Sequence, residues 1–135
     1  GDYDAILLAK AGLDRLELDL SGAIVKHLSP DIFIPAPAQG ALALQVRDEM
    51  DAGILSCLHH EETAECIGVE RALLRSLDGG CQLPFGAWCS KSQDDWHLHM
   101  LLASQDSKKI LKRQFTAATS SELQQQALEA LREWE

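Results

Sequence analysis

The first chemistry on offer is that of four cysteines, Cys57, Cys66, Cys81 and Cys89, spaced by 9, 15 and 8 positions. A thiol serves as nucleophile, metal ligand or small apolar filler, and its neighbours decide which. No CxxC pair occurs and His59-His60 completes no zinc spacing with the cysteines, so the pattern predicts no metal site. Cys66 recurs with Val69, Leu73 and Leu77 at helical spacing, and Cys89 alternates with Phe85 and Ala87. Both are therefore expected to pack as apolar residues, and Cys57 to sit near an apolar helix face. Cys81 differs, because Gly79-Gly80 ahead of it free the backbone to display the thiol at a loop tip. Its place just beyond a predicted helix C-terminus disfavours thiolate. That argues against a generally activated sulfur and, with CxxC absent, against a thiol redox protein.

One carboxylate stands out beside them. At 100° per residue Glu70 falls in the middle of the Cys66–Val69–Leu73–Leu77 face, where it needs a partner or stays protonated. It is read as a structural partner in the core rather than a general acid. Arg71 and Arg75 lie together on the flank of the same helix.

These residues need elements to hold them. Ala5-Ile6-Leu7-Leu8-Ala9 is an apolar run of strand length that suits a central parallel strand. A short helix over 11–16 should follow it. Pro35-Ala36-Pro37-Ala38-Gln39-Gly40 breaks the periodicity. Ala41 to Val46 then reads as another buried strand, and Asp48 as the cap of a helix with Met50, Ile54 and Leu58 on one side. From about residue 60 the pattern becomes self-contained. A helix over 61–77 ends at Gly79-Gly80. Three strand-like runs follow, Phe85 to Lys91, Trp96 to Ser104 and Lys108 to Phe115, joined by polar turns. A final helix opens on a Ser121–Gln124 capping box and presents Leu123, Ala127, Leu131 and Trp134. The expected class is α+β: the end of an α/β domain followed by a small αβββα unit, its three-stranded antiparallel sheet carrying both helices on one face.

Composition bounds the partners. The 135 residues carry 21 acidic against 12 basic side chains, a net charge of −9, which argues against nucleic acid or an anionic membrane surface. No apolar run reaches the length of a membrane span and no secretion signal is present, so free thiols in a reducing compartment, the cytoplasm, are the expectation. The opening Gly1-Asp2-Tyr3-Asp4, without methionine and one residue from a strand, reads as a cut inside a longer protein.

Three separated stretches resemble the porphobilinogen deaminase (hydroxymethylbilane synthase) family. They are Tyr3 to Ala9 leading into Ala11-Gly12-Leu13 and Arg15; Pro35 to Leu42; and Glu70-Arg71-Ala72 running to Leu77-Asp78-Gly79-Gly80-Cys81-Gln82-Leu83-Pro84-Phe85-Gly86. Their order and spacing make the match specific to about Gly86, beyond which it continues only as pattern. Ala38 stands where glycine is common before Gln-Gly, and Gln45-Val46 where Glu-Cys is usual. Both read as family variation.

The resemblance implies a transferase of tetrapyrrole (porphyrin, heme) biosynthesis that joins four porphobilinogen molecules, with loss of ammonia, into hydroxymethylbilane. It implies that Cys81 holds a dipyrromethane primer through a thioether, the sulfur anchoring rather than turning over, since the pyrrole side arrives as an electrophile. Arg15 matches an arginine that pairs with pyrrole acetate or propionate groups, for which a guanidinium fork is suited. Gln39 and Gly40 match a loop whose amides contact pyrrole side chains; a plain hinge is the other reading. Arg71 either contacts the cofactor region or clamps domains together. The catalytic aspartate and several arginines of the family lie upstream of Gly1, so no catalytic residue is expected in this chain and it should be inactive alone. Its partners would be porphobilinogen, the growing oligopyrrole and the N-terminal part of the same protein, where the cations that hold a polycarboxylate must then be concentrated. Residues 1–35 would end the second domain, 36–59 cross back to the first with a strand and a helix, and 60–135 form the cofactor-attachment domain. The competing reading from another class is a non-catalytic binding or regulatory α+β module.

Overall fold

The computed structural model describes residues 3–49, 52–77, 83–106 and 108–134. In chain order these form helix α1 (Lys10–Leu16), a 3-10 helix (Ala52–Leu58), α2 (Glu61–Ser76), strands β1 (Phe85–Ser92), β2 (Asp95–Ala103) and β3 (Ile110–Ala117), and α3 (Ser120–Arg132). The strands form one antiparallel sheet in the order β1-β2-β3. The fold class is α+β.

The sheet follows from alternation. Trp96, Leu98, Met100 and Leu102 of β2 are all buried, and the register sets Leu102 beside Phe85 and Leu111, and Leu98 beside Cys89 and Phe115. One face of the sheet is therefore a continuous apolar surface. Against it α2 lays Cys66, Val69 and Leu73, packing on β1, while α3 lays Leu123, Ala127 and Leu131 over β3 and β2. Leu73, Leu98, Met100 and Leu123 are fully buried where these layers meet.

The ends of the elements show why some expected boundaries shift. The ring of His60 accepts from the Thr63 amide and caps α2, with Glu61 and Glu62 in its first turn favouring the helix dipole. At α3 the cap is Thr119, accepting from Glu122, two residues before the expected Ser121–Gln124 pair. Thr119 keeps the extended backbone that a cap requires as the chain leaves β3. β3 starts at Ile110 rather than Lys108, because the Asp106 carboxylate accepts from Ser104 and from the Lys108 amide and holds that stretch in a turn.

Before residue 60 the expectations need correction. Ala5 to Ala9 and Ala41 to Val46 make no strand among the described residues. A parallel strand is stable only between neighbours, and Ile24-Val25 and Ile32 to Ile34 do not pair with either run. The helix expected after Asp48 is only the 3-10 helix, with Ile54 and Leu58 exposed; Met50 lies outside the described residues. Apart from Ile110, every exposed large apolar residue falls between Tyr3 and Leu58. The module from Glu61 onward thus closes its own core, while the first part presents apolar side chains that nothing among the described residues covers. No helix among the described residues is long and apolar enough to cross a membrane.

Candidate functional site

The Pro-rich break folds into two successive tight turns. The Gln39 amide donates to the Ala36 carbonyl, and the Ala41 amide to the Ala38 carbonyl. The third residue of each turn has a positive φ, 63° at Ala38 and 83° at Gly40. Both fit the type II pattern, for which Pro37 is well placed in the first turn and glycine is preferred at the third position. Gly40 meets that preference and Ala38 does not, although glycine is what the resemblance would place there. What read as neutral variation is a strained site. The Gly40 amide has no hydrogen-bond partner among the described residues, and a side chain built at Gly40 would meet nothing within 4 Å. Gln39 and Gly40 are exposed. The turn pair thus offers a donor and an amide side chain on open main chain, the kind of surface that binds a carboxylate.

Glu70 fastens this turn to the module. Its carboxylate is 4% exposed, yet both oxygens are used. Oε2 accepts from the Ala38 amide at 2.6 Å and Oε1 from the Cys89 amide at 2.8 Å. The Cys89 amide points outward from β1, an edge strand, so the carboxylate takes the place of the missing neighbouring strand. Burial raises the Glu70 pKa, and the two amide bonds oppose that rise. The partner that the helical pattern demanded is therefore main chain, and no oxygen is left to serve as a general acid.

A groove of about 310 Å³ runs beside this tie, lined by Ala38, Ala41 to Ala43, Leu58 to His60 and the outer side of α2, Thr63, Ala64, Ile67 and Arg71. A larger hollow of about 540 Å³ is lined by Gln45 to Glu49 alone. It is the curl of one segment and gathers no convergent chemistry.

A second fastening lies two residues back along β1. The Ala87 amide of β1 donates to the Pro35 carbonyl at 3.0 Å. Next to it, a Cβ on Gly86 would stand 2.9 Å from the Ile34 carbonyl oxygen and 3.1 Å from that of Pro35. Glycine is required there because another main chain passes over it. Lys112 on β3 also donates to the Asp31 carbonyl at 3.1 Å. Residues 31–38 are thus seated on the sheet before they turn into Gln39-Gly40.

The expected site residues are only partly brought together. Cys81, with Asp78 to Gln82, lies outside the described residues. Arg71 is exposed at the edge of the groove that Ala38 and Ala41 also line, next to the Glu70 tie. Arg15 is exposed in the last turn of α1, beside an exposed Lys10–Asp14 ion pair, and does not line that groove. Cys66 and Cys89 are buried against each other, and burial pushes both thiols up, away from reactivity; Cys57 is exposed rather than on a packed face. No group of three or more His, Cys, Asp or Glu among the described residues is arranged to hold a metal ion. Sequence reasoning missed the edge-strand role of Glu70, the backbone strain at Ala38 and the close approach at Gly86. The Pro-x-Gln-Gly turn was a usable signal for the second; the other two depend on contacts between distant segments.

Comparison with known proteins covers nearly the whole chain. A family model described as porphobilinogen deaminase, dipyromethane cofactor binding domain, matches residues 1–54. A second, porphobilinogen deaminase, C-terminal domain, matches residues 64–133. Proteins named porphobilinogen deaminase are similar to it: one from Listeria innocua is 38% identical over 133 residues, covering 96% of this chain and 43% of that protein. One from Chlorobium chlorochromatii is 40% identical over 137 residues, covering 98% and 43%. A third, from Oceanobacillus iheyensis, is 37% identical over 132 residues, covering 96% and 42%. The chain spans less than half the length of these curated relatives.

Proposed function

The chain belongs to the porphobilinogen deaminase family, and from that premise we propose that it is the C-terminal portion of a cytoplasmic transferase of porphyrin and heme biosynthesis. The intact enzyme would join four porphobilinogen molecules head to tail, releasing ammonia, and deliver hydroxymethylbilane. In this reading Cys81 carries the dipyrromethane group through a thioether. When bound, that group supplies the primer to which pyrrole units are added. The observation that carries the reading is the Gly79-Gly80-Cys81-Gln82 motif, which falls in the sequence between Ser76 and Phe85, within the stretch matched by the C-terminal domain.

The chain's own residues suit a polycarboxylate. The free amide of Gly40 and the exposed side chain of Gln39 donate without obstruction. Arg71 at the groove edge and Arg15 on α1 each present a guanidinium, which grips a carboxylate in two parallel hydrogen bonds. These groups bind and orient pyrrole side chains; none is placed to move a proton at the reacting carbon. We assign proton transfer to the part of the enzyme that the relatives possess beyond this chain, along with most of the cationic side chains. Residues 1–35 would then complete the second domain, 36–59 cross to the first, and 60–135 form the attachment domain. The uncovered apolar residues between Tyr3 and Leu58 fit that division, since they need a body to pack against.

Mass spectrometry of the denatured intact enzyme tests the reading. It should weigh more than its sequence by two linked pyrroles, and peptide mapping should place that mass on the fragment containing Cys81. Cys81→Ser should abolish it, serine being the weaker nucleophile, while substitution of Cys57, Cys66 or Cys89 should not. The mass on another cysteine, or on none in an active enzyme, refutes the assignment.

A further inference from the structure

Among the described residues Glu70 is the one buried carboxylate, and it holds the turn proposed to bind pyrroles. Glu70 lies within α2 and holds the Ala38 amide at 2.6 Å, one residue before Gln39-Gly40. α2 ends at Ser76, five residues before Cys81. The other Glu70 oxygen holds Cys89 on β1, the strand that leaves the Cys81 loop. One side chain of α2 therefore joins the turn to β1.

We propose that Glu70 is a positioning residue for the reaction, fixing the Gln39-Gly40 turn against α2 and β1. The proposal rests on the reading of Gln39, Gly40 and Cys81 given above, and assigns the alignment of the turn to this tie. The contact is specific to a carboxyl group of this length. Two amide donors converge on it, so both oxygens must accept. Glutamine offers one acceptor and one NH2 group, and the latter would face an N–H donor. Aspartate is shorter by one methylene and cannot span both amides. Among the described residues the turn has no other clamp of this kind, because its remaining hydrogen bonds are internal, from Gln39 to Ala36 and from Ala41 to Ala38. The crossing segment is meanwhile kept on the module by the Ala87–Pro35 bond and the close approach at Gly86. Loss of the Glu70 tie should therefore free the turn without releasing the segment.

The test uses the intact enzyme with Glu70→Gln, beside Val69→Ala as a control that loosens the core face of the same helix. Glu70→Gln should raise the KM for porphobilinogen about tenfold and leave kcat within about twofold, the fold-change expected when a charge-assisted contact is lost. Amide exchange over residues 39–41 should quicken by about the same factor while β2 keeps its protection. Val69→Ala should lower the melting temperature without changing KM. Should Glu70→Gln fail to fold, Glu70→Asp keeps the charge and should show the same KM and exchange changes. An unchanged KM or unchanged exchange at 39–41 overturns the proposal, as does an equal rise in KM for Val69→Ala. A parent enzyme that carries no adduct on Cys81 or consumes no porphobilinogen would instead overturn the functional reading, and this proposal with it. Failure of Glu70→Gln alone, in an active and modified parent, sinks only the positioning role.

Discussion

The turn pair at 36–41 makes a reciprocal prediction about backbone strain. Ala38 and Gly40 hold the same kind of position, with φ of 63° and 83°, one filled by alanine and the other by glycine. A non-glycine residue in the left-handed region costs about 1–2 kcal/mol. Replacing it with glycine relieves that strain but adds unfolded-state entropy worth about 0.5–1 kcal/mol. Ala38→Gly should therefore stabilise the turn by about 0.5–1 kcal/mol, and Gly40→Ala should destabilise it by a similar amount. A clash cannot explain the second change, since a Cβ at Gly40 meets nothing within 4 Å. Because the turn can open without unfolding the sheet, the measurement is native-state amide exchange at Gln39 and Ala41, whose hydrogen bonds close the two turns. The expected changes are about two- to fivefold, slower for Ala38→Gly and faster for Gly40→Ala. Faster exchange in Ala38→Gly, or slower exchange in Gly40→Ala, would refute the account of strain.

Gly86→Ala should loosen the seating of residues 31–38, because the new methyl meets two carbonyl oxygens at 2.9 and 3.1 Å. Overpacking of this kind costs about 1–3 kcal/mol, and it should appear as faster exchange at the Ala87 amide with β2 unchanged. Glu70 also predicts a pH dependence: burial, opposed by its two amide bonds, raises its folded pKa above the unfolded value. Its contribution to stability is then full below the ordinary glutamate value, about 4.3, and is lost as pH rises through the folded value. Denaturant titration should show the stability of the parent falling relative to Glu70→Gln across that window, and a gap that widens in the parent's favour would contradict the assigned shift.

What the sequence made legible was local. Alternation in Trp96 to Leu102 and helical spacing in Leu123, Ala127 and Leu131 each name a face, and a face specifies its own burial, so the αβββα module followed directly. Glu70 was legible as an anomaly, a carboxylate on an apolar stripe, but its partners were not. The amides of Ala38 and Cys89 lie 32 and 19 residues from it and carry no side-chain signature. The runs at Ala5 to Ala9 and Ala41 to Val46 failed for the opposite reason. Their apolar character is that of central strands, but a strand is a property of a pair, and the described residues supply no neighbour for either.

The same contrast gives the C-terminal module a particular place in the proposed enzyme. Its core is closed by α2, α3 and the sheet, so its fold does not wait on the rest of the protein. Yet its exposed edge strand is not left bare: Ala87 is paired with Pro35, Cys89 with Glu70, and Glu70 in turn with Ala38. An edge strand that ends its hydrogen bonds on a crossing segment ties that segment's position to its own. If Cys81 anchors a growing chain, the module that displays it and the turn that meets that chain's carboxylates are joined through main-chain amides. The long exposed side chain of Lys112 adds a bond to the Asp31 carbonyl, but its conformational freedom makes it the looser fastening.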